Sequence, residues 1–295
     1  MAAVERFVAC TEIAELRRLI ATERGTGRRI GCVPTMGALH RGHVSLIERA
    51  KAVTDFVVAT IFVNPTQFAP HEDFRAYPRP LEADLAACRN AGVDAVFLPS
   101  LESLYPSDFS TWVSVDGLSA KFEGEFRPTH FRGVATIVLK LLNIVQPDVA
   151  CFGQKDYQQQ AVIRRMVRDL DLPVEIVTCP TVRDPDGLAL SSRNVYLNSE
   201  ERRAAAILSR GLALATEQLL TPAPQLPAIM QKVHALYASE PLVAPDYVAV
   251  VDADTLEPLS EPRRRMAVLV AARVGPTRLI DNCVVELPSS IDHRS

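Results

Sequence analysis

Five short apolar runs alternate with five segments of helical spacing in the first part of the chain, and this alternation is the strongest constraint on its fold. The apolar runs lie at residues 29–35, 55–63, 94–98, 148–152 and 174–179. The helix-like segments lie at residues 11–24, 43–53, 81–90, 133–145 and 158–170, with Thr11 as the expected N-cap of the first. Apolar strands between helices are typical of a parallel sheet that is covered on both faces. The pattern therefore predicts an α/β fold with a Rossmann-like, doubly wound parallel sheet, whose ligand binds at the carboxyl ends of the strands.

The character of the sequence changes near Val182. Two later segments, 199–220 and 229–238, have helical spacing, and three more, 247–252, 266–274 and 279–285, are strand-like. We therefore expect two domains: a Rossmann-like domain at residues 1–182 and a smaller α+β domain at residues 183–295.

Two connections in the first domain are longer than usual. They cover residues 64–80 and 100–131, and a short strand is expected within the second at residues 111–115. Loops of this length inside a compact domain are usually functional, so we expect them to contribute to a binding site.

Composition and charge exclude several classes of protein. Hydrophobic residues make up 48% of the 295 residues, charged residues make up 23%, and the formal net charge is −3. Proteins that neutralise nucleic-acid phosphates are usually basic, so no nucleic-acid partner is expected. No apolar run approaches the ~20 residues that span a bilayer, so no membrane partner is expected either. The six cysteines lack metal or redox spacing, and we expect them to be buried thiols in a cytoplasmic protein.

The first candidate for chemistry joins the first apolar run to the next helix, and reads Met36-Gly37-Ala38-Leu39-His40-Arg41-Gly42-His43. The N–H groups and dipole of a helix N-terminus favour phosphate, and glycines let the backbone approach a ligand closely. His40 and His43 are three residues apart, so both rings can donate hydrogen bonds to phosphoryl oxygens on one side of the helix. The segment indicates a nucleotide site. A histidine pair that only caps the helix and one half of a zinc site are the alternatives.

Two common nucleotide-binding motifs are missing from the sequence. It contains no G-x-x-x-x-G-K-[ST], and the first strand–helix turn lacks G-x-G-x-x-G. These omissions argue against a P-loop NTPase and against an NAD enzyme.

A second candidate segment, Gly153-Gln154-Lys155-Asp156, follows the apolar run at 148–152. Lys155 can reach phosphate, Asp156 can accept hydrogen bonds from ribose hydroxyls, and the nearby Gln159 can bind a hydroxyl or a carboxylate. A solvated polar loop is the alternative. In a third segment, Ser191 and Ser192 stand beside Arg193 and can clamp an oxyanion, unless this stretch only caps a helix.

A fourth candidate segment begins where the run at 55–63 ends. Asn64 and Gln67 offer neutral hydrogen bonds among apolar side chains, which suits a small polyol-like acid. The charged residues between positions 72 and 84, including Glu72 and Asp84, are expected to form a mostly solvated face, in which some side chains could contact Mg²⁺ or substrate.

Taken in order, these segments resemble the pantothenate synthetase family of pantoate–β-alanine ligases. That family shares its HIGH-type histidine motif with other nucleotidyltransferases and with class I aminoacyl-tRNA synthetases. The resemblance runs nearly end to end, through residues 34–43, 62–68, 72–78, 130–133, 153–159, 190–194, 252–259 and 273–282. The first motif alone is typical of the whole superfamily, whereas its combination with FVNPTQF and SSRN is specific to this family.

The resemblance implies a Rossmann-like domain, a smaller C-terminal domain and a homodimer. It implies an ATP site formed by Met36, Gly37, Ala38, Leu39, His40, Arg41, Gly42, His43, Gly153, Gln154, Lys155, Asp156, Val182, Leu190, Ser191, Ser192 and Arg193. The catalytic residues would be His43, His40, Lys155 and Arg193. The pantoate site would contain Gln67, Gln159, Met36 and Asn64, with Gln67 also near β-alanine, and Mg²⁺ would accompany ATP. Gln154 and Leu190 depart from the Glu and Met that are usual in the family.

The implied reaction is the ATP-dependent condensation of (R)-pantoate with β-alanine through a pantoyl adenylate, with release of AMP and pyrophosphate. Two alternatives stay open. One is a nucleotidyltransferase that adenylylates a phosphate-bearing small molecule, and the other is a non-catalytic module that binds metal through His40 and His43. The sequence identifies neither the ligands of Mg²⁺ nor the base that deprotonates β-alanine.

Overall fold

The structure, a computed structural model, describes residues 7–70 and 72–288. The chain forms two compact units. The first comprises Met1–Gln154 and Gln158–Pro180, and the second comprises Lys155–Tyr157 and Thr181–Ser295. The chain therefore enters the second unit briefly at Lys155 before it returns to complete the first.

The first unit is built on a six-stranded sheet in which all the paired strands are parallel. Its strands are β1 (Val8–Cys10), β2 (Ile30–Thr35), β3 (Phe56–Ile61), β4 (Ala95–Phe97), β5 (Val149–Gly153) and β6 (Glu175–Cys179). Its helices are α1 (Ile13–Gly25), α2 (Arg41–Val53), α3 (Leu81–Asn90), α4 (Leu101–Leu104), α5 (Glu123–Phe126), α6 (His130–Val145) and α7 (Tyr157–Asp169). The prediction of an α/β fold with a parallel sheet is confirmed.

The strand order reverses direction between β2 and β5. The order across the sheet is β1-β4-β3-β2-β5-β6. From β2 the chain proceeds outward through β3 and β4, with β1 at that edge, and from β5 it proceeds the other way to β6. Where the connections of two neighbouring strands lead to opposite sides of the sheet, the strands form a topological switch point. Ligands of α/β proteins usually bind beside such a point. The loops that follow β2 and β5 are those that carry the first and second candidate segments.

The sheet is apolar because both of its faces are covered. Val33, Ala59 and Val149 are completely buried, and Leu46 and Ile47 of α2 pack in the same core cluster. Burying a valine, leucine or isoleucine side chain contributes roughly 1.5–3 kcal/mol. The continuous apolar runs in the sequence are the consequence of this two-sided cover.

The second unit has a three-stranded antiparallel sheet, β7-β8-β9, of strands β7 (Val243–Asp252), β8 (Arg265–Val274) and β9 (Thr277–Glu286). Its helices are α8 (Ser199–Ala205), α9 (Ile207–Leu219) and α10 (Leu226–Ala238). Leu212 of α9 and Val233 of α10 belong to the same core cluster as Val268 of β8. The buried Tyr237 donates its hydroxyl to the carbonyl of Leu208 at 3.0 Å and so ties α10 to α9. The predicted α+β character is confirmed.

Three sequence-based expectations about local structure were wrong. Residues 111–115 form no strand, because within the described chain they pair with no other strand, and the N–H of Val113 donates instead to Oγ1 of Thr136 at 3.0 Å. The helix expected at 199–220 breaks at Ala206, whose ψ is −16°. The first helix is capped by Glu12 rather than Thr11, and the Glu12 side chain makes no capping hydrogen bond.

Five of the six cysteines are buried and Cys283 is partly buried, and all six are thiols, as expected. No helix among the residues that the structure describes is long and apolar enough to cross a membrane.

Gly133, inside α6, gives a test of how closely the helix approaches the loop after β3. A Cβ at this position would lie 2.4 Å from the carbonyl oxygen of Thr66 and 2.7 Å from the nitrogen of Gln67, both of which are backbone atoms. Glycine is normally a poor helix residue, so alanine would otherwise stabilise α6. Here we expect Gly133→Ala to lower the free energy of unfolding by about 1–3 kcal/mol in urea denaturation, because overpacking must move backbone. The control is Gly25→Ala at the end of α1, where a Cβ would meet nothing within 4 Å. Equal stability of the two variants would show that α6 can shift without cost.

Candidate active site

The loop after β2 is held in an unusual conformation by one buried carboxylate. Gly37 has a φ of 80° and Ala38 a φ of 51°, both in the left-handed region. Asp84, in the first turn of α3, accepts hydrogen bonds from the N–H of Ala38 at 2.9 Å and of Leu39 at 2.7 Å. Charge-assisted hydrogen bonds of this kind are strong enough to offset the backbone strain. Asp84 is only 2% exposed, so its placement on a solvated face was wrong.

His40 and His43 cap α2 with the same nitrogen of each ring. Nδ1 of His40 accepts from the N–H of Gly42 at 3.1 Å, and Nδ1 of His43 accepts from the N–H of His40 at 3.3 Å. The ring centroids are 4.1 Å apart. A nitrogen that accepts carries no proton, so each neutral ring holds its proton on Nε2. Capping and ligand binding are therefore compatible, because capping fixes both rings as donors at Nε2.

A zinc site on these histidines lacks further ligands. In residues 7–70 and 72–288, no group of three or more His, Cys, Asp or Glu side chains could hold a metal ion. A structural zinc ion needs four ligands, and a catalytic one needs three from the protein. The metal-binding alternative is thus unsupported by the geometry.

The turn after β3 brings together three of the residues predicted to bind pantoate. Asn64 donates from Nδ2 to Oε1 of Gln67 at 3.0 Å, and Nε2 of Gln67 contacts Sδ of Met36 at 3.1 Å. Oδ1 of Asn64 accepts from the hydroxyls of Thr66 at 2.9 Å and Tyr105 at 3.1 Å. The contacts of Asn64 with its protein neighbours orient the Gln67 amide, which must be fixed if it is to select a hydroxyl or carboxylate.

A partly buried cluster of Arg127, Glu72 and His130 fixes the backbone of Gln67. Arg127 binds both carboxylate oxygens of Glu72, at 2.6 and 2.8 Å, and donates to the carbonyl of Gln67 at 3.2 Å. Nδ1 of His130 lies 2.9 Å from the same carbonyl oxygen. The other ring nitrogen of His130, Nε2, lies 3.3 Å from Nη1 of Arg127. Glu72 is thus partly buried and ion-paired rather than part of a solvated face. Sequence reasoning missed Arg127, for which the only signal was its position in an unusually long connection. It gave His130 no role, although residues 130–133 carry part of the family resemblance.

Burial and charge shift two pKa values in this cluster. The pKa of His130 falls to about 4, first because burial disfavours the imidazolium and second because Arg127 lies beside it. Burial by itself would raise the pKa of Glu72, but hydrogen bonds and charge from Arg127 outweigh it and lower that pKa. The cluster therefore contains a carboxylate, a guanidinium and a neutral imidazole at neutral pH.

The three consecutive glutamines at the start of α7 have different roles. Gln158 is buried and donates to the carbonyls of Leu118 and Lys121, at 2.8 and 2.7 Å. Gln160 is also buried and bonds to the hydroxyl of Thr178. Gln159, the predicted pantoate ligand, is half-buried and makes no side-chain hydrogen bond within the described chain. Of the three glutamines, Gln159 is thus the one whose side-chain amide can contact a ligand.

The remaining candidate residues belong to the second unit, apart from Gly153 and Gln154 at the end of β5. Lys155 and Ser191 line one small cavity together with Asn194 and Asp281. The N–H of Leu190 donates to the carbonyl of Val182 at 2.9 Å and closes the hairpin before the serines. Ser192 and Arg193 lie in a 3-10 turn, whose N-cap Ser191 accepts from the N–H of Arg193 at 3.3 Å.

His130 makes unfolding pH-dependent. Its pKa is about 6.5 when exposed and about 4 in the fold, so the unfolded chain binds more protons as the pH falls from 6.5 to 4. We expect this residue alone to lower the free energy of unfolding by about 2 kcal/mol between pH 7.5 and pH 5. Urea denaturation at both pH values should show that the free energy of unfolding falls less in His130→Gln than in the wild-type protein. His234→Gln, which removes the exposed histidine of α10, is the control and should keep the full loss. If both variants behave alike, His130 is not the titrating group.

Comparisons with known proteins agree with one another. Residues 8–284 match the family model described as pantoate-beta-alanine ligase. A pantothenate synthetase of Roseiflexus sp. (strain RS-1) is 53% identical over 276 residues, which cover 94% of this chain and 98% of the relative.

Solved structures match the fold as well as the sequence. The crystal structure of pantothenate synthetase from Thermus thermophilus superposes with a TM-score of 0.89 at 48% identity, over 94% of this chain and 98% of that one. A pantoate-beta-alanine ligase from Francisella tularensis, complexed with β-γ ATP and β-alanine, gives a TM-score of 0.78 at 33% identity, over 94% and 97% of the two chains. From the residues matched and the coverage of both chains, the protein belongs to the pantoate–β-alanine ligase family.

Proposed function

We propose that this ligase, which joins pantoate to β-alanine with the use of ATP, works through a pantoyl adenylate. In the first step, a carboxylate oxygen of pantoate attacks the α-phosphorus of ATP, and pyrophosphate leaves. In the second step, the neutral amine of β-alanine attacks the acyl carbon, a C–N bond forms, AMP leaves, and the amine proton passes to solvent. Splitting the reaction in this way converts a poor electrophile, the carboxylate, into a good one.

The observation that carries the proposal is that His40 and His43 both cap α2 through Nδ1, which leaves Nε2 of each ring to carry the proton. Their Nδ1 atoms hold the first turn of α2, and their protonated Nε2 atoms can donate to phosphoryl oxygens. Donors that are fixed before charge develops stabilise a transition state without reorganisation. Gly37 and Gly42 would complete the phosphate side of the first unit, because a residue without a side chain lets the backbone approach the ligand closely.

The second unit would contribute positive charge and the rest of the nucleotide site. Lys155 and Arg193 are its candidate cations, with Ser191 and Ser192 as hydroxyl donors. Asp156 is proposed for the ribose, and Val182 and Leu190 for the base. The proposed ATP site is completed by Met36, Ala38, Leu39, Arg41, Gly153 and Gln154.

Pantoate would lie against the turn after β3. Gln67 is buried, positioned by Asn64 and in contact with Met36, so its amide can recognise a hydroxyl and a carboxylate in one orientation. We place Gln159 beside pantoate as a second amide, and Gln67 also beside β-alanine. These neutral groups suit a hydroxy acid better than a phosphate monoester, which argues against the adenylylation of a phosphate-bearing substrate.

Mg²⁺ is proposed to enter the site with ATP. This ion keeps several waters and binds through substrate phosphates and one or two carboxylates, rather than in a cage made by the protein. Asp84 and Glu72 already accept hydrogen bonds from backbone N–H groups and from Arg127, so the phosphates of ATP and water would supply most of the ligands. When bound, the ion would neutralise phosphate charge.

Three further features remain proposals. We propose a homodimer, for which the aromatic side chains of Phe109 and Trp112 offer apolar surface, since Trp112 is 41% exposed. Sedimentation equilibrium would test it.

We propose a cytoplasmic location, in keeping with six cysteine thiols. We also keep the division into domains at residues 1–182 and 183–295, which limited proteolysis would test.

If a pantoyl adenylate is an intermediate, we expect a burst of pyrophosphate release. Enzyme given ATP, Mg²⁺ and pantoate without β-alanine should release about one equivalent of pyrophosphate per site and then stop. Lys155→Ala should slow this burst, because we assign its charge to the phosphates, and should affect the reaction of supplied pantoyl adenylate with β-alanine much less. Lys232→Ala, which changes an exposed lysine of α10, is the control. Rapid-quench measurement of pyrophosphate decides the matter: no burst would mean a concerted reaction of three substrates.

Substitution of His40 can separate capping from catalysis. Asparagine is a preferred N-cap, so His40→Asn should keep α2 and the free energy of unfolding close to wild type while it removes the Nε2 donor. We expect kcat to fall by about 10²–10³, as for the loss of one preorganised donor. His43→Ala should show a comparable fall in kcat. A His40→Asn enzyme with near-normal kcat and normal stability would reduce His40 to a capping residue.

A further inference from the structure

Two adjacent polar side chains are buried on β9, where an antiparallel sheet does not require them. Asp281 is 4% exposed and Asn282 is 2% exposed. A buried carboxylate or amide is costly unless it is hydrogen-bonded, so the partners of these residues indicate what they are for.

Asn282 holds the backbone of Lys155. Its Nδ2 donates to the carbonyl oxygen of Lys155 at 2.8 Å. Two residues further along, the hydroxyl of Tyr157 donates to the carbonyl of Ala253 at 2.7 Å. Residues 155–157 follow β5 in the sequence, yet they pack as part of the second unit. These two hydrogen bonds tie residues 155–157 to the second unit.

Asp281 holds the loop that carries the serines. Its two oxygens accept from the guanidinium of Arg183 at 2.6 and 2.9 Å, and one oxygen also accepts from the N–H of Asn282 at 2.8 Å. Arg183 donates in turn to the carbonyl of Gly187 at 3.1 Å and pairs with Ala189 across the hairpin. A bidentate pair of this kind fixes orientation as well as distance.

The two segments that Asn282 and Asp281 hold meet at one cavity. Asp281, Lys155 and Ser191 line the same small cavity of the second unit. Adjacent residues of β9 therefore fix both segments from which we expect phosphate contacts. A strand in a hydrogen-bonded ladder is a rigid support, and sites supported in this way are precise.

We propose that Asn282 is a positioning residue for Lys155, and that it sets the direction in which the lysine side chain leaves the backbone. The proposal rests on the role assigned above to Lys155 at the phosphates of ATP. The Asn282 amide bonds the Lys155 carbonyl, so removing it frees the backbone that carries the ammonium group. Small displacements of a positioned group can reduce a rate strongly.

A double-mutant cycle tests this. Asn282→Ala should lower kcat/KM for ATP about tenfold, as expected for one buried hydrogen bond that matters in the transition state. It should slow pyrophosphate release and leave the reaction of supplied pantoyl adenylate with β-alanine within about twofold. In a Lys155→Ala background the same substitution should reduce kcat/KM by less than about twofold, because the group that Asn282 positions is already missing.

The control is Cys283→Ala, at the next residue of β9. The Cys283 sulfur contacts the hydroxyl of Thr216 at 3.2 Å and so belongs to the side of the strand that faces α9. This variant should leave both half-reactions unchanged. If Asn282→Ala is too unstable to purify, Asn282→Ser enters the same cycle with a shorter donor and the same expected coupling to Lys155.

A fall in kcat/KM that does not depend on Lys155 would overturn the proposal. If Asn282→Ala reduces kcat/KM by the same factor with and without Lys155, or slows both half-reactions equally, Asn282 only stabilises the fold. Failure of the adenylate mechanism would look different: wild-type enzyme would show no pyrophosphate burst, while the coupling between Asn282 and Lys155 would still be measurable in the overall rate of ligation.

Discussion

The parallel register of the central strands is the constraint on which the site of the first unit depends. Thr35 at the end of β2 is paired with Ile61 at the end of β3, so both strands end at the same level. β5 runs parallel on the other side of β2. Because all carboxyl ends of a parallel sheet lie at one edge, residues that are far apart in the sequence reach one crevice. The histidine loop, the Asn64–Gln67 turn and Gly153 all follow directly from these strand ends.

Polar side chains, buried or partly buried, hold the backbone of the loops themselves. Asp84 binds the N–H groups of the histidine loop, the Arg127 cluster binds the carbonyl of Gln67, and Asn282 binds the carbonyl of Lys155. Each of these partners comes from a different part of the chain. A hydrogen bond to a backbone atom fixes the conformation of a loop and leaves its side chains available for ligands. This separation of support from chemistry recurs in both units.

Patterns of local sequence predicted much of the architecture. The helix at Leu81–Asn90 and the strands around Val33 and Val149 lie where their apolar spacing placed them, within one or two residues. The expected strand at 111–115 failed because strand formation needs a partner that a local pattern cannot supply. Asp84 was misjudged for a related reason: an acidic residue in the first turn of a helix is usually solvated, and only the fold brings the strained loop to it.

By itself, the sequence determined the class of fold, the order of strand ends that carry chemistry, and, through its resemblance to a family, the reaction. These depend on periodicity and on short motifs, which are local properties of a chain. Only the tertiary structure decided which ring nitrogens of His40 and His43 are used for capping, that His130 is a neutral buried group, and that Lys155 is anchored by Asn282. Those facts depend on burial and on contacts between residues that are distant in sequence. Protonation states and hydrogen-bond partners are set by the surroundings that folding creates.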